Sequence, residues 1–322
     1  MRVLITTVPF GEVNRHPLDL LDKAGVHYVI NPIGRKLREE ELAEMAGDFD
    51  IIIAGTEPIT ANVINKAPKL RLISRVGIGL DSVDLIAAQK RNIAVSYTPD
   101  APAPAVAELS IGLMISLLRY THISDRIMRQ GKWQRFMGRR ISESTVGIVG
   151  VGRIGKKVIH LLSNFGCKII ANDLQPDMEF AKSYNVEWVT KETLYETADI
   201  ITLHVPLTNL TKNMITSKEM ALMKPDAVLL NTSRGGIICE SDLAETLQHS
   251  NLGGTAIDAF EEEPYTGPLI QEERCLLTSH MGSMSEDCRY HMELEATEEA
   301  LRFIRGEKLI GSVPDFEYQN QK

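Results

Sequence analysis

Residues 146–158 read VGIVGVGRIGKKV, and this stretch restricts the fold more than any other. A β-branched run enters three glycines, Gly150, Gly152 and Gly155, and helical text leaves them. A strand, a tight turn and a helix in this order make half of a parallel βαβ crossover, so the stretch belongs in an α/β sheet. The spacing also has a chemical sense. Gly150 suits the turn, Gly152 lets backbone approach a pyrophosphate, and Gly155 lets helix and strand pack closely. The helix N-terminus adds N–H donors and a positive dipole end for phosphates. An acidic residue ending the next strand completes the pattern. Asp173 stands 23 residues past Gly150, at the end of KIIAND. There it would accept hydrogen bonds from the adenosine ribose. Leu174 and Gln175 follow, with no arginine for a 2′-phosphate, which favours NAD over NADP. Alone, a G-x-G-x-x-G can be a purely structural turn; the flanking strand, helix and acid favour the dinucleotide.

The rest of the chain alternates in the same way. Strand-like runs at 2–8, 27–31, 50–55, 70–74 and 93–97 are separated by helical text at 17–25, 38–47, 60–67 and 82–92. The prolines of TPDAPAP (98–104) break the rhythm, fix extended backbone and mark a boundary. Long helical text over 105–130 follows, then a second alternation. Its strands are expected at 145–150, 167–173, 198–205, 226–233, 253–260 and 275–280, and its helices at 153–164, 177–184, 217–223 and 240–249. A last helix is expected over about 285–305, with 17 residues after Arg305 and no sign of an appended domain. The fold class is α/β, with two parallel-sheet domains covered by helices on both faces.

A chain of 322 residues accommodates two such domains. A net charge of −8 argues against a nucleic-acid or anionic-membrane footprint. The longest nearly apolar run, LSIGLMISLL (109–118), is too short to span a bilayer and reads as a buried helix. The N-terminus MRVLITTVPF turns polar too soon for a signal peptide, so a cytoplasmic location is expected. Cys167, Cys239, Cys275 and Cys288 show neither a C-x-x-C pair nor zinc-ligand spacing, so buried free thiols and no metal site are expected.

Nicotinamide chemistry on a hydroxy acid needs a cation for the carboxylate, a group that exchanges the hydroxyl proton, and a partner that tunes that group. Candidates fall just after successive strands, where open α/β sheets bind ligands. NTSRGG carries Arg234, AIDAFEEEP carries Asp258 and Glu263, and TSHMGSMS carries His280. Singly, each has a plain alternative: a solvated arginine, an exposed acidic run, a surface histidine. Their order behind the glycine turn is what links them.

With these blocks in view, the chain resembles the D-isomer-specific 2-hydroxyacid dehydrogenases over nearly its whole length. The resemblance is carried by SRVGIGLDSVD (74–84), AVAEL (105–109), GKWQRF (131–136), GIVGVGRIGKKV, HVPLTNLTKNMI (204–215), NTSRGG, DAFEEEP and SHMGS. It implies two Rossmann-like or flavodoxin-like domains with an active-site cleft between them. The substrate domain would be discontinuous (1–100 plus 286–322), the NAD domain would be 101–285, and closure would occur about hinges near 98–104 and 285–290. It also implies Arg234, Glu263 and His280 as the catalytic set. Cofactor contacts would come from Ile78, Arg153, Ile154, Asp173, Val205, Pro206, Thr232, Ser233, Asp258 and Gly282 besides the glycines. Donors to the substrate carboxylate would come from Arg75, Val76 and Gly77. A homodimer is implied through the 105–118 helix and the segment around Trp133. The branch most resembled is the phosphoglycerate dehydrogenases, in a short form without a regulatory domain, so feedback through such a domain is not expected. Glyoxylate/hydroxypyruvate reductase is the alternative within the family. Outside catalysis, the alternative is an NAD-sensing corepressor, which would need more chain for partner contacts.

Two departures and one basic cluster bear on the substrate. AGTEP puts Ala54 where that branch commonly has an arginine. TPDAPAP has Asp100 and Pro102 where the family usually shows glycine and asparagine. Arg135, Arg139 and Arg140 form a basic cluster that suits either a phosphate across a subunit boundary or a solvated face.

Overall fold

A computed structural model of the chain describes residues 1–249 and 252–321. It divides into two compact units, Met1–Pro102 with Ser283–Lys322, and Ala103–Gly282. In the first, the strands β1 (Arg2–Ile5), β2 (His27–Ile30), β3 (Ile51–Ala54), β4 (Leu72–Arg75) and β5 (Ala94–Ser96) form one sheet in the order β2-β1-β3-β4-β5. In the second, β6 (Thr145–Val149), β7 (Lys168–Asn172), β8 (Val186–Trp188), β9 (Ile200–Leu203), β10 (Val228–Asn231), β11 (Gly254–Ile257) and β12 (Cys275–Leu277) run in the order β12-β11-β10-β9-β6-β7-β8. Every strand pair is parallel. In the second sheet the order reverses at β6, the strand that enters the glycine turn, and such switch points are where ligands bind.

The central strands are short apolar runs because both faces of each sheet are covered. Ile51, Ile52 and Ile53 in β3 are fully buried, as are Ile200, Ile201 and Leu203 in β9. Alternate residues of β9 serve different layers. Ile201 and Leu203 pack with Leu229, Leu243 and Leu247, whereas Ile200 packs with Ala107, Met114, Val158 and Ile159. The C-terminal stretch closes the first unit. Ser74 donates to the Ala296 carbonyl of the helix Glu286–Arg305 (2.8 Å), and the Val313 amide donates to the Val95 carbonyl (3.1 Å).

Several boundaries differ from the sequence expectation. Pro102 and Pro104 do not hold extended backbone; they lie in the first turn of the helix Pro102–Leu118. The first amides of a helix have no partner within it, so proline removes no bond there. The helical text over 105–130 is two helices, because Tyr120 adopts φ 54° between Pro102–Leu118 and Thr121–Arg129 and the axes bend by 64°. Strand β8 and the helices Lys191–Thr197 and Asp315–Asn320 were not foreseen. Among the described residues, no single helix is long and apolar enough to cross a membrane. The four cysteines are free thiols. Burial raises the thiols of Cys167 and Cys275 and moves that of Cys288 to about 11.

Candidate functional site

Strand register builds the site in the second unit. Val149 pairs with Asn172 and with Leu203, Leu203 with Asn231, Asn231 with Ile257, and Ile257 with Leu277. The next residue along each strand is therefore level with its neighbours. These are Thr278, Asp258, Thr232, His204, Gly150 and Asp173, in that order across the carboxyl edge of the sheet. Four of the six are sequence-predicted cofactor contacts.

The glycine turn has the geometry its spacing implies. Gly150 has φ 92°, and a Cβ there would strike the His204 carbonyl. A Cβ on Gly155 would strike the Gly150 carbonyl, so the helix Arg153–Ser163 sits tightly on the turn. Gly152 is the N-cap, offers no side-chain cap, and faces open space, since a Cβ there would meet nothing within 4 Å. An uncapped helix N-terminus beneath open space fits a pyrophosphate. Arg153 is exposed and Ile154 half-buried at this end, with Val205 half-buried and Pro206 exposed after β9. Asp173 is half-buried, and its carboxylate accepts from the Val151 amide (2.7 Å) and the Gln175 amide (2.8 Å). It thus ties the end of β7 to the glycine turn.

The catalytic candidates are held by neighbouring loops of the same unit. The Asn231 amide group donates to the Arg234 carbonyl (2.7 Å), and its oxygen accepts from the Ser233 amide (3.0 Å). The Ser233 hydroxyl donates to the Leu203 carbonyl, and Arg234 Nη1 to the Ser233 carbonyl (2.7 Å). A Cβ on Gly235 would collide with the Phe260–Glu261 backbone. The Arg234 turn and the loop leading to Glu263 therefore touch backbone to backbone. Asp258, 1% exposed, braces the turn that carries His280. It accepts from the Thr278 hydroxyl (2.6 Å) and from the Met281 (2.8 Å) and Gly282 (2.9 Å) amides. Sequence reasoning assigned Asp258 and Gly282 to the cofactor; the structure also gives them this bracing.

His280 stands at φ 51°, a left-handed conformation in which histidine is enriched among non-glycine residues. Its amide donates to the Asp258 carbonyl (2.8 Å). Its Nδ1 lies 2.8 and 3.0 Å from the two carboxylate oxygens of Glu263. An ionised carboxylate only accepts, so Nδ1 carries the hydrogen, which leaves Nε2 without one when the ring is neutral. The side chains are 32% and 24% exposed, and a pair so wetted adds at most about 1 kcal/mol to stability. Its effect is on orientation. Glu240 lies half-buried beside this acidic run. Burial raises its carboxyl, the Glu261 amide opposes this, and the carboxylates of Glu261, Glu262 and Glu263 add to it.

His204 was missed as a member of the edge row. Its Nε2 is 2.9 Å from the Thr202 hydroxyl, its Nδ1 is buried without a partner among the described residues, and burial lowers the imidazole to about 4. The HVP block contained it, but only register shows that it stands between Thr232 and Gly150.

Arg75, Val76, Gly77 and Ile78 lie in the first unit at the end of β4. Arg75 and Val76 are buried, and Ile78 packs partly against the core. Arg75, Val76 and Gly77 were expected to offer backbone or side-chain donors to a substrate carboxylate, and two of the backbone donors have partners within the unit. The Val76 amide already donates to the Ala54 carbonyl (2.8 Å), and the Gly77 amide to the Thr98 hydroxyl (2.8 Å). Arg75 Nη1 folds back onto the Val76 carbonyl. In the basic cluster, Arg139 is within 3.7 Å of Asp199, Arg140 pairs with Glu143, and Arg135 is exposed.

Residues 111–282 match the family model for the D-isomer specific 2-hydroxyacid dehydrogenase, NAD binding domain. The chain is 38% identical over 277 residues to D-3-phosphoglycerate dehydrogenase of Methanocaldococcus jannaschii, covering 84% of this chain and 53% of that protein. It thus spans about half the length of that relative. It is 34% identical to glyoxylate reductase of Thermococcus litoralis, over 83% of this chain and 84% of that one. The crystal structure of the TT0316 protein from Thermus thermophilus matches with a TM-score of 0.89 at 30% identity, covering 98% of this chain and 100% of that one. With a matching NAD-binding region and relatives alike over most of this chain, the protein belongs to the D-isomer specific 2-hydroxyacid dehydrogenase family of NAD-dependent oxidoreductases.

Proposed function

We propose that the protein interconverts D-3-phosphoglycerate and 3-phosphohydroxypyruvate, with Arg234, Glu263 and His280 as the catalytic set. The observation that carries the reaction type is the His280–Glu263 pair, with Nδ1 held at 2.8 Å and Nε2 left to exchange a proton. In reduction, His280 Nε2–H donates to the oxygen formed at C2; in oxidation, Nε2 accepts the hydroxyl proton. Glu263 keeps the ring in the required tautomer and stabilises the imidazolium. Arg234 pairs with the substrate carboxylate through its planar fork and polarises the carbonyl. When bound, NADH supplies the hydride. The edge row from Asp258 to Asp173 and the uncapped helix N-terminus would hold the dinucleotide. The choice of acid is supported by the GKWQRFMG and SRVGIGLDSVD blocks and by the 38% identity to a phosphoglycerate dehydrogenase.

A second substrate, glyoxylate or hydroxypyruvate, is favoured by the loop after β3. It follows Ala54, the last residue of β3, has no cation, and buries Glu57 (1% exposed), which accepts from the Gly55 amide (2.8 Å) and the Thr6 hydroxyl. The deciding measurement is kcat/KM with NADH for 3-phosphohydroxypyruvate, hydroxypyruvate and glyoxylate. Preference for the phosphorylated acid supports the first assignment, and preference for the others replaces it with the second. Turnover of none, with NADH bound, favours a non-catalytic sensor.

Cofactor choice and assembly carry their own expectations. A 2′-phosphate would meet Asp173, with Asp177 four residues on. Like charges so placed cost several kcal/mol, so NADH is expected to exceed NADPH in kcat/KM by about 10²-fold or more. Asp173→Ala should narrow that ratio; equal use of the two cofactors by the unaltered protein would refute the assignment. The protein is also proposed to be a homodimer. Trp133 and Met137, 76% and 95% exposed, stand on a segment without regular structure after the helix Thr121–Arg129. Light scattering at micromolar concentration should give twice the 35.8 kDa chain mass. A single-chain mass would exclude the dimer.

A further inference from the structure

Thr232 in the edge row touches a residue that no motif singles out. Ser110 lies on the helix Pro102–Leu118, fully buried, and its hydroxyl is 3.0 Å from the Thr232 hydroxyl. It is also 2.8 Å from the Val106 carbonyl, one turn back along its own helix. A carbonyl only accepts, so the single Ser110 hydrogen goes to Val106. Between the two hydroxyls, Thr232 is then the donor. Its hydrogen then goes to Ser110, and both of its lone pairs are left to accept. Thr232 is 6% exposed, at the carboxyl edge of the sheet, level with Asp258 on one side and His204 on the other.

We infer that Ser110 is a positioning residue for the dinucleotide: by taking the Thr232 hydrogen it makes Thr232 Oγ1 an acceptor for an N–H or O–H of the bound cofactor. This rests on Thr232 being a cofactor contact, as proposed above. Ser110 itself is fully buried and acts only through Thr232. A threonine whose hydroxyl turned freely would present a hydrogen to that donor in part of its population and weaken the contact. The groups of the dinucleotide able to donate are the ribose hydroxyls, the carboxamide NH₂ and the adenine NH₂.

The test is NADH affinity, read by fluorescence titration on the full chain, with thermal midpoint as a control. Alanine suits a helix interior at least as well as serine, so Ser110→Ala should fold. A single neutral hydrogen bond corresponds to a loss of about 2–10-fold in affinity, and that loss is expected for Ser110→Ala and for Thr232→Val. In the Thr232→Val background, Ser110→Ala should cause no further loss, because the pair acts as one unit. Thr232→Ser, which keeps the hydroxyl, should retain the sensitivity to Ser110→Ala. If Thr232→Val leaves affinity unchanged, Thr232 is not a contact and both readings fall. If Thr232→Val weakens binding but Ser110→Ala does not, the positioning role alone is overturned, as it is by equal losses in both backgrounds. Repeating the titration with the reduced 3-acetylpyridine analogue, which has no carboxamide NH₂, narrows the donor. A Ser110 effect that vanishes assigns the carboxamide, and one that persists assigns a ribose hydroxyl or the adenine NH₂; each supports the proposal.

Discussion

Replacing His280 by alanine is expected to lower kcat for 2-oxo acid reduction by about 10²–10⁴-fold, the range for losing a placed general acid. NADH should still bind, because His280 enters the site from the turn after β12, whereas the glycine turn and the helix Arg153–Ser163 belong to another part of the sheet. The thermal midpoint should change little, since a partly exposed histidine–carboxylate pair contributes at most about 1 kcal/mol. Full-progress kinetics and an NADH titration on the same preparation separate the effects. Near-normal turnover would remove His280 from the chemistry.

The second large effect is expected at Arg234. Changing it to glutamine removes the cation proposed to pair with the substrate carboxylate and polarise the reacting carbonyl. Loss of one such preorganised donor lowers turnover by about 10²–10³-fold, and kcat/KM should fall at least that far. Lysine keeps the charge but not the fork. Arg234→Lys should therefore raise KM strongly and lower kcat less than glutamine does. A substitution that altered NADH affinity while sparing KM for the acid would place Arg234 on the cofactor instead. The braces around it, Asn231 and the Gly235 contact with the Phe260–Glu261 backbone, are predicted to matter through its aim.

Much of this was legible in the sequence because it is local or periodic. β-Branched runs such as DIIIAG and ADIITLHV read as doubly covered strands, and the three glycines announced their turn by spacing together with the strand and helix that flank them. The Arg234, Glu263 and His280 positions were visible as polar residues just past strands. What joins His280 to Glu263 is a contact across 17 residues, which strand ends suggested but did not fix. Register across the sheet was not legible, and with it went His204. Ser110 was hidden differently: it sits in the apolar run LSIGLMISLL, and its partner is 122 residues away. The bend at Tyr120 has neither glycine nor proline to announce it. A motif shows that the amides of Val76 and Gly77 exist, not that a carbonyl and a hydroxyl of the same unit accept from them.

The first unit is interrupted, with Met1–Pro102 completed only by Ser283–Lys322, and this bears on the order in which the protein is made. Domains generally mature as units during synthesis, the amino-terminal one first. Here that order should be reversed. The segment 103–282 is whole once the ribosome has passed it, whereas the opening hundred residues still lack the helix Glu286–Arg305. That helix supplies buried Met292, Ala296 and Ala300, and its Arg289 reaches the Thr7 hydroxyl (2.9 Å). Until it emerges, the amino-terminal sheet has an uncovered apolar face, and a nascent chain stalled before residue 286 should be the most chaperone-dependent form of this protein.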